Sequence, residues 1–201
     1  GSMKRLIIII LCVFFFASCS ADMAARFGGL GVITEETVTF DNAYIINMSP
    51  AFLQLDGDPA RIPFKLGARW SNKSPDYVSL ILEYTSDTYG SVSNLFTNFK
   101  GLGININGNI NEYITSGLTR HADEKHNEVT QTIYTKSENS VVVPLKVLKD
   151  MVAAEDCRLR ILTKDGYVDA LFHNERLPGG SPTAKKFMKE FLVKVDARLN
   201  I

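Results

Sequence analysis

The chain of 201 residues has little of what most catalytic centres are built from. It contains three histidines, three cysteines and one tryptophan. No G-x-S-x-G elbow and no H-E-x-x-H pair is present, which excludes the hydrolases and zinc peptidases that depend on those spacings. Charge of neither sign dominates, with 22 basic and 22 acidic residues, so there is no electrostatic case for a nucleic-acid partner. Internal repeats are absent. No apolar run reaches the roughly 20 residues that a membrane-spanning helix needs.

The longest apolar run lies at the start. Gly1-Ser2 reads as an expression scar. Lys4-Arg5 then form a positive region ahead of twelve uninterrupted apolar residues, Leu6 to Ala17. That length suits the hydrophobic core of an export signal. Phe16-Ala17-Ser18-Cys19 follows, and here the sequence resembles a bacterial lipoprotein signal with its lipobox, although Phe16 stands where the family commonly has Leu. The resemblance covers about the first tenth of the chain. It implies cleavage before Cys19, acylation of Cys19 and membrane attachment through that lipid. Ser20, in place of the Asp that retains such proteins in the inner membrane, implies the outer membrane, facing the periplasm. On this reading the chain divides into a scar (1–2), a signal peptide (3–18), a lipidated N-terminus and tether (19–36) and one globular domain (37–201).

Without Lys4 and Arg5, 20 basic residues face 22 acidic ones, leaving a net charge of −2. The resemblance implies that Cys12 is lost with the signal and that Cys19 carries the lipid, which would leave Cys157 without an intramolecular disulfide partner.

Past a flexible tether, alternation dominates. Thr37–Phe40 and Ala43–Met48 read as strands about an Asp41-Asn42 turn. Residues 49–59 read as loop. Within them Asp56-Gly57-Asp58 fails as a calcium loop, because Gly67 occupies the position where that loop needs Glu. Phe64, Leu66, Ala68 and Trp70 share one face of a strand, and Val78, Leu80, Leu82 and Tyr84 share one face of the next. That register makes Trp70 a core residue. Gly101-x-Gly103 lacks the lysine and following helix of a phosphate loop, whereas Asn107-Gly108 suits a tight hairpin. Residues 119–128, holding His121 and His126 among acids, read as a solvated loop. Glu138-Asn139-Ser140 reads as a turn.

The C-terminal part has two helical stripes. Leu145, Leu148, Met151 and Val152 mark a helix near 144–154. Ala184, Phe187, Met188, Phe191, Leu192, Val195 and Leu199 mark another near 182–199, with Ser181 as its cap. Between them a hairpin pivots on Asp165-Gly166, pairing Lys164 with Tyr167 and Leu159 with Phe172. It places Cys157, Leu159, Ile161, Val168, Ala170 and Phe172 on a core face, and Arg158, Arg160, Tyr167, Asp169 and His173 on the other. The terminal helix is expected to cover that core face.

The expected fold is α+β and β-rich, a mostly antiparallel sandwich-like sheet with two helices. The expected function is a non-enzymatic binding or accessory module of the cell envelope, membrane-attached through Cys19 and engaging a protein partner. Neither a cofactor nor a catalytic residue is assigned. Two alternatives stay open: an envelope hydrolase using a carboxylate pair that only the fold brings together, and a metal-binding lipoprotein using His121 and His126.

Overall fold

The computed structural model describes residues 21–58, 63–87, 96–127, 132–172 and 176–200. The leader with Cys19 lies outside the described residues, as do His173 and the side chain of His126. A short helix α1 (residues 21–27) precedes β1 (Ile33–Val38), β2 (Ala43–Phe52), β3 (Gln54–Leu55), β4 (Phe64–Ser71) and β5 (Tyr77–Asp87). Then come β6 (Phe99–Ile106), β7 (Asn109–Ile114), β8 (Arg120–Asn127) and β9 (Thr132–Pro144). Helix α2 (Leu145–Ala153), β10 (Cys157–Thr163), β11 (Gly166–Leu171) and α3 (Ala184–Leu199) complete the order.

The strands form two antiparallel sheets, ordered β1-β2-β4-β5-β9-β8 and β3-β11-β10-β6-β7. Alternation in the sequence becomes burial here. Phe64, Leu66, Ala68 and Trp70 are all buried, as are Val78, Leu80, Leu82 and Tyr84 directly opposite them. Trp70 is 1% exposed and its indole N–H donates to the Pro75 carbonyl at 3.0 Å, so the only polar atom of the ring is satisfied. The inner faces of both sheets join α2 and α3 in one continuous core. The fold is the β-rich α+β sandwich expected from the strand pattern, and one sheet curls into a half-barrel. Among the described residues no helix is long and apolar enough to cross a membrane.

Several local expectations are corrected. The first hairpin starts earlier, with Ile33 already paired to Met48. Residues 49–52 continue β2 through an irregularity between Met48 and Ala51, and the chain then crosses to the other sheet as β3. Gly67 accommodates that irregularity, since a Cβ there would lie 2.7 Å from the Met48 carbonyl oxygen. The polar stretch from Arg120 is not a loop but the edge strand β8, paired along β9. Charged side chains suit such an edge because they discourage pairing with another chain. Glu138-Asn139-Ser140 is not a turn but lies within β9, opposite Glu83, Leu82 and Ile81. Its polar groups find partners across the sheet: Arg120 donates to Glu138, and Asn139 donates to the Gly117 carbonyl at 3.0 Å.

The β10–β11 register is Thr163↔Gly166 and Leu159↔Ala170, two residues from the expected pairing. Because the shift is even, every side chain keeps its face. Lys164-Asp165 makes the turn, and Gly166 takes the positive φ of 140° as the first strand residue. At Asn107-Gly108 both turn residues have positive φ, 50° and 92°, as a tight hairpin requires. The cap of α3 is Thr183 rather than Ser181, and the buried stripe of α3 lies over β2 and β4 rather than over β10.

Candidate functional site on the outer sheet face

The outer face of the five-stranded sheet carries a group of charged, amide and aromatic side chains around a groove. Three cross-strand rows build it. Glu112, Gly103, Arg160 and Asp169 are successive partners across β7, β6, β10 and β11. Ile110, Asn105, Arg158 and Leu171 form the row on one side of it, and Ile114, Gly101, Leu162 and Tyr167 the row on the other. Gly101 and Gly103 leave no side chain between the β7 row and the β10 row. The result is a groove of about 320 Å³ lined by Asp56, Asn105, Glu112, Arg158, Arg160 and Asp169. Gly101 is required by its neighbour, because a Cβ there would lie 2.5 Å from the Tyr113 carbonyl oxygen, whereas one at Gly103 would make a tight contact of 3.3 Å with the Arg160 Cβ.

Both arginines are held by carboxylates. Arg160 donates from Nε and Nη2 to the two oxygens of Asp169, at 2.7 and 2.8 Å, and its guanidinium stands 4.0 Å from the centre of the Tyr167 ring. The fork geometry suits a carboxylate on one edge and an aromatic face on the other. Arg158 pairs with Asp156 at 3.3 Å and with Asp56 at 3.5 Å. The hydrogen bonds from Arg160 hold the Asp169 carboxyl below the usual carboxylate range, against a smaller opposing effect of burial. Asp169 is therefore a fixed anion and hydrogen-bond acceptor, whereas a general acid needs a carboxyl held above that range. Exposed apolar side chains border the charges: Ile110, Ile114 and Tyr167 are 66%, 85% and 60% exposed.

Arg158, Arg160, Tyr167 and Asp169 stand on the outward face that alternation assigned to them. Asp56, Gly103, Asn105 and Glu112 were missed as site residues because they come from segments far apart in the chain. The usable signal was the small or polar residue at every second position of Gly101-Leu102-Gly103-Ile104-Asn105.

His121 occupies another region. His121 Nε2 donates to Asn98 Oδ1 at 3.1 Å, and Ser137 Oγ lies 3.0 Å from its Nδ1, so both ring nitrogens are engaged within the protein. The His121 ring stands 4.9 Å from the Phe96 ring, edge to face. Among the described residues no group of three or more His, Cys, Asp or Glu is placed to hold a metal ion. Cys157 is buried in the core, where desolvation pushes its thiol up to about 12.

The fold and this face define a small β-sandwich with a charged, glycine-floored groove. The chain matches no family model, and it matches neither a curated protein nor a solved structure.

Proposed function

We propose that the protein is a lipid-anchored module of the cell envelope that binds a protein partner through the outer face of its five-stranded sheet. The lipid reading comes from Lys4-Arg5, the apolar run to Ala17 and Cys19, and implies the outer membrane and a periplasmic orientation. The observation that carries the binding reading is the groove itself. Arg160 is pre-ordered by its bidentate pair with Asp169 and its cation–π contact with Tyr167, Arg158 is paired with Asp156 and Asp56, and Ile110 and Ile114 flank them. Arg and Tyr are enriched among residues that dominate interface energies, and pre-ordering lowers the entropic cost of docking. Each locked pair also presents free acceptor lone pairs or donor N–H groups to a partner.

A photo-crosslinker at Ile110 in intact cell envelopes should give one discrete protein adduct, lost on Arg160→Glu. The same probe at Phe40, fully exposed at the β1–β2 tip, should give none. Equal adducts from both positions would defeat the reading. The address is tested separately: an alkyne fatty acid should label the wild type and not Cys19→Ser.

A carboxylate hydrolase is the second reading, favoured by Asp56, Glu112 and Asp169 lining one groove. The ionic lock on Asp169 weighs against it. Hydrolysis of a glycoside library by the wild type, abolished in both Glu112→Gln and Asp169→Asn, would establish it.

A further inference from the structure

The segment expected to be a loose tether is packed onto the domain. Asp22 accepts hydrogen bonds from Lys186 on α3 and from Arg176 at 3.2 Å. One turn later Arg26 donates to Glu190, also on α3, and its guanidinium stands 5.7 Å from the centre of the Phe187 ring. Ala25 packs against the core. After the helix, Ser49 Oγ donates to the Gly29 carbonyl at 2.6 Å and accepts from the Val32 N–H at 2.8 Å. The path from residue 21 into β1 is thus fixed at several points.

Helix geometry then sorts the side chains of α1. Asp22 and Arg26 are four residues apart and share the face turned to α3. Met23 and Phe27 have the same spacing on a different face, and are 52% and 85% exposed. Cys19 is three residues before Asp22 in the sequence, and an extended chain covers at most about 3.6 Å per residue, so the connecting chain spans no more than about 11 Å. A lipid on Cys19 leaves no length for a stalk.

We propose that the exposed face of α1, Met23 and Phe27, rests in the lipid surface and that its ion pairs to α3 hold the domain directly against the membrane. This rests on the reading of Cys19 as the lipidated residue. An apolar helix face at an interface settles about 5–10 Å into the boundary between headgroups and acyl chains. A fixed α1 transmits that position to α3 and the sheet beneath it.

The test uses the full chain exported and acylated in a bacterial host, its acyl mass verified, then reconstituted in phosphatidylethanolamine–phosphatidylglycerol vesicles containing a brominated phospholipid. Phe27→Trp and Met23→Trp are compared with Phe40→Trp, all three at exposed positions, against the constant background of buried Trp70. Tryptophan at 27 and at 23 should be quenched at least roughly twice as strongly as tryptophan at 40. Equal quenching at 27, 23 and 40 in an acylated protein that floats with the vesicles overturns membrane contact and leaves the lipid reading intact. Tryptophan at 27 shielded from both bromolipid and aqueous iodide means that protein covers the face, and overturns it too. Absence of acyl mass overturns both readings.

Discussion

Gly31 lies flat against the ring of Phe187. With φ at 61°, a Cβ on Gly31 would lie 2.2 Å from the Phe187 Cγ, and the Phe187 side chain is fully buried. The glycine therefore answers two demands at once, a left-handed backbone and an empty space beside α3. Gly29, at φ 81°, meets only the first, because nothing lies within 4 Å of its Cβ position. Gly31→Ala should cost about 2–4 kcal/mol, combining backbone strain with overpacking. Gly29→Ala should cost about 1 kcal/mol. Urea midpoints of the two variants measure the difference, and equal midpoints would show that Phe187 yields.

Asp22 should make the docking of α1 depend on pH. Burial raises its carboxyl, but the hydrogen bond and charge of Lys186 and the nearby Arg176 together outweigh burial and hold it below the usual range. A carboxylate depressed by folding contributes stability above its unfolded pKa, near 3.9. That contribution is lost as pH falls through the lower, folded value. Asp22→Asn should therefore lower stability by about 1 kcal/mol at neutral pH, with the gap closing in acid as pH falls below the unfolded value and through the lower, folded one. Paired urea titrations across that window test the sign. A gap that widens in acid would contradict it.

Strand faces were legible in the sequence and strand boundaries less so, for a physical reason. Burial imposes a period of two, so Phe64 to Trp70 and Cys157 to Phe172 announce their inner faces. Turn position is set by a single positive φ, and Asp165-Gly166 offered two ways to spend it. The structure puts Gly166 at the strand start, an even slip that costs no burial. Polar stretches misled where their partners come from a distant strand. Glu138-Asn139-Ser140 resembles a turn until Arg120 and Gly117 are brought beside it. The groove has the same origin: alternation exposes Arg158 and Arg160, but only the pairing of four strands brings Gly103, Glu112 and Asp169 into their row. The docking of α1 depends on charges more than 150 residues away, beyond any local pattern.

Glu83 should be the costliest charged residue to remove. It is 5% exposed on β5, and its carboxylate accepts from Lys65 on β4 at 2.6 Å and faces Lys136 on β9 at 3.4 Å. Lys65 is itself mostly covered, with 15% of its side chain exposed. Glu83→Ala leaves a buried ammonium beside it without its nearest anion, a loss of about 3 kcal/mol. Adding Lys65→Ala should recover part of that loss, giving a double-mutant coupling of about 1 kcal/mol or more. The exposed pair Arg160–Asp169 provides the contrast. Arg160→Ala should change stability far less than Glu83→Ala, because solvent screens that pair. Equal costs at both sites would show that burial of Glu83 brings no electrostatic consequence.

Cys157 reports on the core from inside. Its side chain is fully buried at the start of β10, opposite Ile106, and desolvation pushes its thiol up to about 12. Two barriers therefore protect it, since a reagent must reach the sulfur and the thiolate must form. The charge of Lys185 acts against the second barrier without overcoming it. The first barrier is the packing itself, because α3 and both sheets share the cluster that includes Cys157. In the protein carrying Cys19→Ser and lacking the leader cysteine, native labelling by a thiol reagent at neutral pH should be at least a hundredfold slower than in urea. If exposure requires global opening, Gly31→Ala and Glu83→Ala should speed labelling in proportion to their loss of stability, about tenfold for each 1.4 kcal/mol. Fast labelling that ignores those substitutions would mean that β10 opens locally, and that the sheet carrying the groove moves independently of the core beneath it.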